Sequence, residues 1–81
     1  MDRDPRYLMV KQLVESRIIN SYAAIYNSFP KSLVSMYLGT NNHRMTRLIR
    51  NPKQMTLEEI ERIASYFDIA PGDLVALIYQ K

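Results

Sequence analysis

Apolar side chains along this chain recur every three or four residues, broken by prolines, glycines and Asn/Ser pairs. No stretch alternates over the length of a strand, so the pattern predicts an all-α domain. Pro5 can open a first helix through Tyr7, Leu8, Leu13 and Val14 that ends near Arg17. Asn20 and Ser21 read as a break and a cap before a short helix carrying Ala24, Ile25 and Phe29. A third helix is expected from Pro30 to about Leu38, with a turn at residues 39–41. Asn41 or Asn42 can cap a fourth helix, whose apolar positions are Met45, Leu48 and Ile49. Pro52 disfavours helical geometry in the residue before it, which places the end near Asn51. Thr56 followed by Glu59 is a capping box for a fifth, core-facing helix along Leu57, Ile60, Ile63, Ala64 and Phe67. Residues 69–73 break it, and a sixth helix forms around Leu74, Leu77 and Ile78.

Helix, glycine turn and helix over residues 30–51 have the sequence form of a helix-turn-helix. Gly39 supplies the left-handed backbone needed for a tight helix exit. At about 100° per residue, Met45, Leu48 and Ile49 share one side of the fourth helix. His43, Arg47 and Arg50 then point away from the core, Arg44 and Thr46 lie on the flanks, and Asn42 projects from the N-terminal end. Charge sharpens this picture. Residues 16–57 carry Arg17, Lys31, Arg44, Arg47, Arg50 and Lys53 and no acidic residue, whereas the rest of the chain is net negative. The overall charge of +3 therefore conceals a segregated cationic region suited to a polyanion.

Residues from about Lys31 to Ile78 resemble the helix-turn-helix core of the lambda-repressor-like (Xre-type) transcriptional regulators. Gly39 falls on the family's turn glycine, Ser35 on its small-residue position, and Met45 and Leu48 on the two apolar positions of its recognition helix. The run TLEEIERIASYFDIAPGDLVAL is similar to the two helices that follow. FPKSLVSMYLGTNNHRM resembles a subgroup of small regulators with a proline before the first motif helix. Thr40 stands where the family usually has an aliphatic residue. The resemblance implies a five- to six-helix lambda-repressor-like domain that binds double-stranded DNA through the helix at 42–51. It implies base contacts from Asn42, His43 and Arg47, residue types that the major groove rewards. Lys31, Arg44, Thr46, Arg50 and Lys53 are the expected phosphate contacts, which position without specifying.

Length and composition narrow the alternatives. Eighty-one residues with 47% apolar content suit a single domain over 1–81 with one small core. The absence of cysteine removes disulfide and thiolate–metal staples, and the single histidine argues against a metal centre. No cofactor is expected. The N-terminal stretch MDRDPRYLMV has no apolar core of signal-peptide type, and no run is long enough to span a membrane, so a cytoplasmic location is expected. Neither a phosphate-cradling glycine loop nor a nucleophile beside a base is present, which excludes the familiar enzyme classes and any evident small-molecule substrate. Of the six tyrosines, Tyr22, Tyr26 and Tyr37 read as core, while Tyr7 and Tyr79 suit a subunit interface. One short helix reads few bases, so a homodimer joined through residues 74–79 is the expected binding unit. Repression by promoter occupancy needs only binding and is the default expectation. The competing class is a protein-interaction or antitoxin-like module that keeps the fold without DNA readout.

Overall fold

A computed structural model describes residues 4–79, so the first three residues of the N-terminal stretch lie outside it. Among the described residues six α-helices follow one another: α1 (Tyr7–Glu15), α2 (Tyr22–Ile25), α3 (Lys31–Leu38), α4 (Asn42–Arg50), α5 (Leu57–Phe67) and α6 (Pro71–Ile78). No strand occurs among the described residues, as the period of the apolar positions requires. Helix α5 is the central strut and packs against α1, α3 and α6, while α4 leans on α3 and α2.

The core is apolar and rich in aromatics. Phe29, Tyr66 and Phe67 meet edge to face, with centroids 5.2–5.8 Å apart. Val10, Ile25, Val34, Met45, Leu48, Ile63 and Leu74 fill the space around them. Tyr22 is buried and its hydroxyl lies 2.7 Å from that of half-buried Tyr26. This pairing satisfies two phenols in surroundings that push both ionisations up, chiefly through burial. Tyr37 packs on Tyr66 at the rim of the core.

Helix ends are set by local chemistry. Thr56 Oγ1 accepts the Glu59 amide at 3.1 Å, and the Thr56 amide donates to Glu59 Oε1 at 2.9 Å, completing the capping box. Its two acids in the first turn also suit the positive end of the helix dipole. Helices α1, α3 and α5 all exit through a left-handed residue: Arg17, Gly39 and Asp68, with φ of 65°, 71° and 56°. At each exit the next amide reaches back to a carbonyl one turn earlier: Ile18 to Leu13, Thr40 to Ser35 and Ile69 to Ala64. This is the Schellman arrangement.

Several boundaries and orientations differ from the sequence expectations. Helix α2 is a single turn that stops at Ile25, so Phe29 enters the core from the following loop. Helix α1 ends at Glu15, because the left-handed Arg17 lies beyond its last turn. Pro30 is extended (ψ 126°) and precedes α3 rather than beginning it. Pro52–Gln54 form an unanticipated 3₁₀ turn between α4 and α5. Leu57, expected on the core face of α5, is 71% exposed: it opens the helix where the capping box fixes the chain's entry, and Ile60 is the first residue to turn inward.

Candidate nucleic-acid interface

The turn between α3 and α4 is held at several points. Gly39 adopts its left-handed conformation with open space where a Cβ would sit, so conformation rather than crowding calls for glycine. Ser35, almost fully buried, donates its hydroxyl to the Thr40 carbonyl at 2.8 Å. A small polar residue thus lets the two helices approach and stays hydrogen-bonded. From α5, Arg62 donates to the Tyr37 and Leu38 carbonyls at 2.8 and 3.2 Å, satisfying the end of α3. Its guanidinium also lies 5.5 Å from the Tyr37 ring centroid.

Of the two candidate caps for α4, Asn41 does the capping: its Oδ1 accepts the Arg44 amide at 2.7 Å. Asn42 is thereby left as the first helical residue with its side chain exposed. Met45 and Leu48 are buried and Ile49 half-buried, so the apolar stripe of α4 faces inward. His43, Arg47 and Arg50 are exposed on the outside, and their side chains have no hydrogen-bond or ion-pair partner among the described residues. Arg47 and Arg50 fall in the last turn of α4, where they also suit the negative end of its dipole. Its first turn contains no acid.

Lys31, Lys53 and Arg44, three of the expected phosphate contacts, have partners within the protein. Lys31, at the start of α3, donates from Nζ to Thr46 Oγ1 at 2.7 Å, and Thr46 in turn donates to the Asn42 carbonyl at 2.9 Å. The Lys31 ammonium is thus held alongside α4. The Lys53 ammonium lies 5.4 Å from the centroid of the exposed Tyr79 ring, on the C-terminal side of the domain. Arg44 makes a forked pair with Glu59 of α5 at 2.9–3.2 Å. Glu59 is most affected by partial burial, which pushes its carboxyl up. The Thr56 amide and then the Arg44 guanidinium outweigh that, leaving it below the ordinary glutamate value.

Helical period alone places the outward residues of α4, but it gives no sign of Glu59 and Arg62 reaching the motif from α5. Glu59 was visible only as a cap, and no local pattern marks Arg62, because each meets its partner 15 or more residues away along the chain. No group of three or more His, Asp or Glu side chains among the described residues could hold a metal ion. None of the described helices is long and apolar enough to cross a membrane. A cleft of about 170 Å³ is lined by Val14, Arg17, Ile19, Asn20, Asp73, Ala76 and Leu77, none of which belongs to α3 or α4.

Comparison with known proteins agrees with this architecture. No curated protein and no solved structure matches the chain. The family model for the Cro/C1-type helix-turn-helix DNA-binding domain matches residues 27–80, which takes in α3, the glycine turn, α4 and the two helices behind them. With two thirds of its length matched and the motif geometry in place, this chain belongs to the Cro/C1-type helix-turn-helix DNA-binding domain family.

Proposed function

We propose that the protein binds double-stranded DNA sequence-specifically and regulates transcription, with α4 seated in the major groove. The observation that carries this reading is the outer face of α4: His43, Arg47 and Arg50 are exposed and unpaired among the described residues, and no acid occurs anywhere from residue 16 to residue 57. Unpaired polar and cationic side chains, with Arg47 and Arg50 as the cations, on a helix whose inner face is anchored by Met45 and Leu48 can meet a nucleic acid without breaking internal bonds. Arg47 has the planar fork that matches guanine O6 and N7, and is the principal base reader. Asn42 and His43, at the N-terminal end that enters the groove first, complete the reading set. Arg50, Lys53 and the Thr46-supported Lys31 are the backbone contacts.

Two copies on half-sites one helical turn apart form the binding unit, since one helix of this length covers few base pairs. Repression by occupying a promoter is the mode of action. The test is Arg47→Ala against cognate and scrambled duplexes. Loss of about 1–3 kcal/mol of discrimination is expected, with the fold intact by circular dichroism. Full discrimination by the variant would remove Arg47 from the reading role.

A further inference from the structure

Arg44 sits on the flank of the same helix as Arg47 and Arg50, yet its surroundings are unlike theirs. Its Nε donates to Glu59 Oε2 at 3.2 Å, and its Nη2 reaches Oε1 at 3.0 Å and Oε2 at 2.9 Å. Glu59 is not a loose surface acid. Its side chain is only 16% exposed, and Oε1 also accepts the Thr56 amide, so the capping box fixes the carboxylate before Arg44 engages it. The backbone of Arg44 is fixed as well, through its amide to Asn41. One residue thus ties the first turn of α4 to its cap and to the central helix α5.

A phosphate would have to displace this arrangement. Moving the guanidinium to DNA would break a forked, charge-assisted pair and leave the Glu59 carboxylate without the three hydrogen bonds it accepts from Arg44. Arg47 and Arg50 face no such cost, as neither has an internal partner among the described residues. The residues immediately before Arg44 are Asn42 and His43, whose approach to base edges depends on how the first turn of α4 is aimed. We infer that Arg44 is a positioning residue: it stays paired with Glu59 in the DNA complex, aims the N-terminal end of α4, and supplies no phosphate contact. This rests on the reading above that α4 enters the major groove.

The experiment measures binding of the whole chain to its best-enriched duplex and to a scrambled duplex across a salt series. It compares wild type, Arg44→Gln, Arg44→Lys, Glu59→Gln and the Arg44→Gln/Glu59→Gln double variant. Glutamine at 59 keeps an oxygen for the Thr56 amide, so the cap survives. Arg44→Gln is expected to keep the wild-type slope of log affinity against log salt while the cognate-to-scrambled ratio falls about fivefold or more. Glu59→Gln should lose the same ratio, and the double variant should be no worse than either single one, as for two halves of one unit. Arg44→Lys keeps the charge without the fork, so it folds as a control and still loses part of the ratio. A slope shallower by about 0.9 in Arg44→Gln, or an unchanged ratio in Arg44→Lys and Glu59→Gln, would overturn the inference and return Arg44 to the phosphate contacts. Failure of the wild-type chain to prefer any duplex would sink the functional reading itself, so the two failures are distinguishable.

Discussion

Helices α4 and α5 are built on one plan and put it to different uses. Each buries an apolar stripe, Met45 and Leu48 in α4 and Ile60, Ile63, Ala64 and Phe67 in α5. Each begins with a side-chain oxygen accepting an amide three residues on, from Asn41 and from Thr56. Their outer faces part company. In α5 the charge assists folding: Glu58 and Glu59 suit the helix dipole, Glu59 completes the cap and holds Arg44, and Arg62 closes the end of α3. In α4 the first turn carries His43 and Arg44 where local stability would favour acids, and His43, Arg47 and Arg50 have no internal partner among the described residues. Glu59 and Arg62 of α5 use their charge in bonds inside the fold. Charge left over on an anchored helix is available to a partner.

Substitutions on the inner faces should erase the difference between the helices. Leu48→Ala and Phe67→Ala each remove a fully buried side chain and are expected to cost about 3–5 kcal/mol, a large part of what a domain this size has. Urea titration of both variants would check this, and a loss confined to Phe67→Ala would mean that α4 is not anchored as described. Loss of the α5 cap is a smaller perturbation. Thr56→Ala should cost about 1 kcal/mol in the same titration and leave the cognate-to-scrambled ratio within about twofold.

Arg50→Ala and Lys53→Ala separate the helices the other way. Each should leave stability within about 0.5 kcal/mol and make the salt slope of DNA binding shallower by about 0.9. An unchanged slope would remove the residue from the backbone contacts.

The smallest expected effect is on the pH dependence of stability. Glu59 is held below its ordinary value in the fold, so its contribution is complete above the unfolded glutamate range. That contribution is lost as pH falls through the lower, folded value. Glu59→Gln should therefore flatten the acid limb of a stability–pH curve. At the alkaline end Tyr22 and Tyr26 act in the opposite sense. Both are held neutral by burial, so the stability they confer is present below about pH 10 and declines above it.

Much of this fold was legible in the sequence wherever a local rule had a local cause. The Gly39 exit, the Thr56–Glu59 capping box and the stop imposed by Pro52 each depend on a few neighbouring residues, and each falls where the pattern puts it. The outward placement of His43, Arg47 and Arg50 followed from helical period alone. Other features were hidden because their cause is not local. The exits near Arg17 and before residues 69–73 are expected from the sequence, but the left-handed backbone of Arg17 and Asp68 is not, because neither is glycine. Phe29 leaves helical structure yet stays in the core, because packing against Tyr66 and Phe67 outweighs continuation of a one-turn helix. Arg44 has the residue type and position of a phosphate contact, and only the approach of α5 shows its partner.

The most direct test of α4 as a reading helix is selection from random-sequence duplex pools by the purified protein at two salt concentrations, followed by sequencing. Enrichment of a palindrome with half-sites one helical turn apart is expected, with weaker retention but the same preferred sequence at the higher salt. Salt-sensitive retention without enrichment, or no retention even at low salt, would contradict it.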